Sequence, residues 1–145
     1  PLRKSTLYYT HGHFNTSNDA RSGKYILRGT TSNNGYIEIW LGGTLNSQID
    51  FQDNSINTVE IFVAGTRTGT IGGASFKFEA VFQNSAGTLS LIGNTNKTKI
   101  GSTDTNYDAL LDVDTTNNTM RLRVRGNTVH SMRWMAVVNT VEVTQ

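Results

Sequence analysis

Apolar and polar residues alternate in short runs along most of this chain: 24–28, 36–41, 48–51, 58–67, 74–84, 88–92, 109–114, 119–125 and 131–143. Turn-forming residues bound the runs, among them Ser32-Asn33-Asn34-Gly35, Gly42-Gly43, Gly72-Gly73 and Gly126-Asn127. A period of two puts every second side chain on one face of a strand, and no segment sustains the 3.6-residue period of a helix. The pattern predicts an all-β fold, an antiparallel β-sandwich of jelly-roll type. Phe76, Phe78 and Phe82 alternate on one face and belong to the core, with Val59, Ile61, Leu111, Met120, Leu122 and Trp134. The stretch 94–106, rich in Thr and Asn, reads as a long loop.

Parity fixes register near the end of the chain. If 115–118 is a four-residue turn, antiparallel pairing sets Val113 opposite Met120, Leu111 opposite Leu122 and Ala109 opposite Val124. If 126–130 is the next loop, Val124 faces Met132, Leu122 faces Trp134 and Met120 faces Ala136, which makes a meander with one apolar face. A slip of one residue would turn that apolar set outward. The other face then carries Asp112, Asp114, Arg121, Arg123, Arg125 and Arg133, with Arg123 directly opposite Arg133.

Composition narrows the function. The 145 residues contain no Cys, which removes disulfide frameworks, thiolate metal sites and Cys nucleophiles. Apolar residues make up 36% and charged residues 17%, and Pro occurs once, a balance that suits strands and turns. No apolar run approaches the roughly 20 residues that span a bilayer, so no membrane insertion is expected. A net charge of +2 gives no argument for nucleic acid. Residues 1–22 are weakly patterned and read as an N-terminal arm or linker, with the sandwich domain at 23–145. Pro1 in place of Met points to a processed product or an excised part of a longer chain.

The closing segment reads Asp112-Val113-Asp114, Met120-Arg121-Leu122-Arg123-Val124, Met132-Arg133-Trp134-Met135-Ala136-Val137-Val138 and finally Val141-Glu142-Val143. Over about the last 35 residues this resembles the C-terminal β-sandwich domains of bacteriophage tailspikes and tail fibres. The resemblance implies a homotrimeric, extracellular component of the virion tail that clamps the trimer and contacts host cell-surface glycan, lipopolysaccharide or capsule. Members of that group often degrade polysaccharide with carboxylates on an upstream β-helix; no β-helix stacking pattern occurs here, so that activity does not transfer. A polysaccharide depolymerase fragment with sites shared between subunits, or a non-viral carbohydrate-binding module (a lectin), are the alternatives.

No catalytic constellation is expected: Gly-x-Ser-x-Gly elbows and glycine-rich phosphate loops are absent from the sequence. In 36–41 the aliphatics share one face, and Tyr36, Glu38 and Trp40 share the other. Two aromatics with a hydrogen-bonding acid make a candidate sugar platform, or else a second face buried by a neighbouring sheet or subunit. Arg121, Arg123, Arg125 and Arg133 form a candidate anion-binding or inter-subunit face. Facing arginines need a neutraliser, from Asp112 and Asp114, from another subunit's carboxylates or from a bound anion. His11 and His13 have a spacing some metal sites use but lack a third ligand, and 104–108 opens like a calcium loop that fails at Ala109 and Thr115. No metal or other cofactor is expected. The two-sided patterning itself argues for self-association, with Arg121, Arg123 or Arg133 at or near the interface.

Overall fold

Ten antiparallel strands in two sheets make up the computed structural model, which describes residues 6–10, 14 and 19–145. They are β1 (Thr6–Thr10), β2 (Ala20–Thr31), β3 (Tyr36–Glu38), β4 (Trp40–Leu41), β5 (Ser55–Arg67), β6 (Gly73–Ser85), β7 (Thr88–Ser102), β8 (Asp108–Asp114), β9 (Thr119–Arg125) and β10 (Met132–Thr144). No helix occurs among the described residues. The larger sheet runs β1-β2-β10-β5-β6-β7, with β4 pairing β2 beyond the end of β1; the smaller runs β3-β9-β8.

The period-two pattern does what the sequence predicts. In β5 the burial alternates through Val59, Ile61 and Val63, in β6 through Phe76, Phe78, Ala80 and Phe82, and in β10 through Met132, Trp134, Ala136 and Val138. Leu111, Met120, Leu122 and Val124 close the same core from the smaller sheet. Each fully buried side chain of this size contributes about 1.5–3 kcal/mol.

Register in the β8–β9 hairpin follows parity: Val113 pairs Met120, Leu111 pairs Leu122 and Ala109 pairs Val124. Asp114 Oδ1 accepts from the Thr116 and Asn117 amides at 3.0 and 3.2 Å, and Asn118 takes a φ of 53°, which together tighten this turn.

The continuation of the meander does not form. β10 pairs β2 and β5, so Met132, Trp134 and Ala136 enter the core they share with Val124, Leu122 and Met120 from the larger sheet instead of lying beside them in one sheet. Parity cannot tell these arrangements apart, because both bury the same residues. The chain is redirected by Asn127, which is buried: its Oδ1 accepts from the Val129 and His130 amides, and its Nδ2 donates to Asp104 and Tyr107. Arg133 therefore lies opposite Thr30 and Thr66 in the larger sheet, not opposite Arg123.

Three further differences concern element limits. The stretch read as a loop from 94 belongs to β7 as far as Ser102, past an irregularity in the register opposite Glu79 and Val81. Its side chains there are almost all exposed, which removes the alternation that would have marked a strand. Residues 48–51 make only an isolated bridge from Ile49 to Met120. Pairing also reaches into the segment read as an arm, since β2 opens at Ala20 and Thr6–Thr10 lies along it. His11 and His13 lie outside the described residues.

Candidate functional site

The outward face of the smaller sheet gathers most of the residues singled out from the sequence. β9 is its middle strand, so Arg121, Arg123 and Arg125 stand in a row between β3 and β8. Arg125 has Tyr36 on one side and Asp108 on the other; Arg123 has Glu38 and Leu110; Arg121 has Asp112.

Charge on this face is paired within the chain. Arg121 donates from Nε and Nη2 to the two oxygens of Asp112, each at 2.8 Å, and Arg123 Nη2 reaches the same carboxylate at 2.8 Å. Of the three neutralisers open from the sequence, the intrachain carboxylate is the one in place for these two arginines. This bidentate geometry raises the Arg121 pKa further, with burial opposing it. Arg123 Nε is buried and has no acceptor among the described residues.

Two polar networks flank that cluster. At one end the Tyr36 hydroxyl donates to Asp108, which also takes Lys97, and the Arg125 guanidinium lies 4.9 Å from the centre of the Tyr36 ring. Burial pushes the Tyr36 hydroxyl above its ordinary pKa, and the bond to Asp108 adds to this. Burial acts to raise Asp108 too, but the bonds from Lys97 and Tyr36 outweigh it and hold the carboxyl below its usual value.

At the other end Gln48 Nε2 donates to Glu38 Oε1 and to Asp114 Oδ2, both at 3.0 Å. The two acids respond oppositely. Burial raises Glu38 against the bond from Gln48, whereas bonds from Gln48 and Asn117 lower Asp114 to about 2. Beside Gln48 opens a polar cleft of about 380 Å³ lined by Asn46, Gln48, Asp50, Asn117 and Thr119. The Thr119 hydroxyl is buried without a partner among the described residues.

The sugar platform read from the sequence is divided. Tyr36 and Glu38 share the outward face of the smaller sheet, but at Ile39 the chain crosses to the larger one. Ile39 is buried, its amide donating to the Leu122 carbonyl at 3.0 Å, and Trp40 pairs Arg28 on β2. A strand of six residues with one uniform face was the expectation; two short strands in different sheets separate Trp40 from Tyr36. Arg133 is likewise set apart, exposed on the larger sheet.

Asp104, first residue of the stretch resembling a calcium loop, accepts from the Asn106 amide and from Asn127 Nδ2, both at 2.8 Å. Gln48, Asp108 and Lys97 were missed as parts of the face. Asp108 was reachable, because the parity that pairs Ala109 with Val124 also sets it against Arg125; Gln48 and Lys97 arrive from a loop and an edge strand that carry no comparable signal.

No protein-family model matches the chain, and no curated protein matches it. Among solved structures it is similar to the tailspike protein of Acinetobacter baumannii phage AM24, with a TM-score of 0.41 and 14% identity. The match covers 86% of this chain and 26% of that protein, so the chain spans about a quarter of its length.

Proposed function

We propose that this domain is a receptor-binding and trimer-stabilising C-terminal module of a phage tailspike or tail fibre, an extracellular virion component that contacts host surface glycan through the outward face of its smaller sheet. The sequence resemblance that motivates this reading centres on β10, the strand flanked on both sides in the larger sheet. The observation that carries the binding part is the polar cleft beside Gln48. Its amide, hydroxyl and carboxylate groups match the alternating donors and acceptors of a saccharide, and Tyr36 and Glu38 extend the same face. The reading needs only the two-sheet sandwich and not the jelly-roll subtype, since β5–β6, β6–β7 and β8–β9 are consecutive hairpins.

The rival enzymatic reading has one observation in its favour. Glu38 and Asp114 share a donor, so those oxygens lie no more than about 6 Å apart, near the separation of retaining glycosidases, and one acid is raised while the other is lowered. Against it, the Gln48 amide stands between the two carboxylates, where a glycosidic oxygen has to enter. Binding without turnover is therefore the function proposed.

Purified chain applied to immobilised lipopolysaccharide and capsular polysaccharides tests this. Retention of at least one glycan is expected, weakened about tenfold or more by Asn117→Ala with Gln48→Ala, with no release of reducing ends. Release of reducing ends abolished by Glu38→Gln would establish the enzyme instead, and absence of retention on every glycan would overturn the binding reading.

A further inference from the structure

The outward face of the larger sheet is not made for water. Ile26, Val137 and Phe62 are cross-strand neighbours on β2, β10 and β5, and Val143 lies beside Ile56 three rows further along, with Asn139 and Val141 between. Phe62 is 44% exposed and Val141 58%. On the smaller sheet, by contrast, Arg121 and Arg123 are held by Asp112 and Lys97 by Asp108. Four strands of 12 or 13 residues form the centre of the larger face. At about 4.8 Å between strands and about 3.3 Å per residue this is roughly 800 Å², the area that one partner commonly contributes to a stable protein–protein interface.

Charge on this face is sorted by side. On the β2 side stand Lys24 and Arg28, neither in an ion pair among the described residues; Arg28 donates to the Gly42 carbonyl at 2.6 Å. On the β5–β6 side stand Glu60 and Glu79, directly opposite each other, with Lys77 alone 3.7 Å from both. One half is thus net basic and the other net acidic, and between them β10 presents Met135, Val137, Val141 and Val143, with Asn139 among them and Arg133 at one end.

We propose that this face docks on a second copy of the same chain, sheet against sheet, with the β2 side of one copy over the β5–β6 side of its neighbour. The inference deepens the trimer-stabilising half of the proposed function and rests on that half alone; the glycan face lies on the other sheet. The two charged halves differ, so the basic half of one copy meets the acidic half of the next in a head-to-tail contact that a ring of three can close, and no partner of different composition has to be invoked. Three such faces turned toward a common axis remove the apolar positions from water.

The test is a charge exchange followed by sedimentation velocity at micromolar concentration. The unmodified chain is expected to sediment as an oligomer. Lys24→Glu with Arg28→Glu makes both sides of the face net acidic, Glu60→Lys with Glu79→Lys makes both net basic, and each protein alone should dissociate at least tenfold more readily. Mixing the two should restore assembly, which also shows that both variants are folded. An oligomer indifferent to both exchanges, or no recovery on mixing, overturns the inference while leaving self-association standing. A monomeric unmodified chain overturns the inference and the trimer reading together, leaving the glycan assay unaffected.

Discussion

Gly65 on β5 lies directly across from Trp134 on β10, and a Cβ placed on Gly65 would stand 2.4 Å from the indole Cε3. The indole is held from its other side, since its Nε1–H donates to the Thr31 hydroxyl at 3.0 Å. Gly65→Ala therefore forces the largest core ring of β10 off its hydrogen bond or out of its rotamer. A loss of about 1–3 kcal/mol is expected for such overpacking, read as a lowered midpoint of thermal unfolding. An unchanged midpoint would show that the indole has room to move.

Ala86 opens the two-residue turn between β6 and β7 with a φ of 50°, followed by Gly87 at 87°. Two successive positive φ values define the turn that suits a right-twisted hairpin, and it favours Asn-Gly. A side chain with Cβ but no local hydrogen bond of its own is strained there by about 1 kcal/mol. Ala86→Asn is expected to recover much of that, raising the denaturant midpoint without changing the slope; a lowered midpoint would contradict it.

Glu142 sits beneath the larger sheet, 3% exposed, where it takes Arg21 Nε and the Gln52 amide. Removing Glu142 leaves the Gln52 amide without its acceptor and the partly exposed Arg21 without its counter-charge, a cost of about 1–3 kcal/mol. Glu142→Ala should show a loss of that order in chemical denaturation. Glu142→Gln should lose less, since an amide oxygen can still accept from Gln52.

These sites differ in how far the sequence announced them. The β8–β9 register and the alternating phenylalanines of β6 were legible, because period-two burial constrains a strand wherever one face meets a core. The placement of β10 was not: beside β9 in one sheet or in the sheet opposite, Trp134 and Leu122 are buried alike and the pattern of buried and exposed positions is the same. Glu142 read as part of a terminal motif, and nothing local marks it as half of an ion pair with a residue 121 positions away. Within the site, Tyr36, Glu38 and the β9 arginines were found together, whereas Trp40 was assigned to them by an alternation that Ile39 interrupts. Gln48 was invisible because a lone glutamine in an irregular segment has no pattern to belong to.

Gln48 also makes the site's response to pH testable. Asp114 is lowered from 3.8 to about 2, the bond from Gln48 being the largest cause. Its native state holds the proton less tightly than the unfolded chain, so its contribution to stability is present above pH 3.8 and is lost as the pH falls toward 2. Glu38 is raised from 4.5 by burial, so its contribution has the opposite sign: it is present below 4.5 and is lost as the pH rises through the native value. Asp114→Asn should therefore flatten the acid limb of a stability–pH curve, while Glu38→Gln should raise stability at pH 7 relative to pH 3. Gln48→Ala removes a bond that lowers both acids, so both carboxyl titrations, followed by NMR, should move upward. Asp114 still titrating near 2 in that variant would assign its depression to Asn117 and the turn amides and not to Gln48.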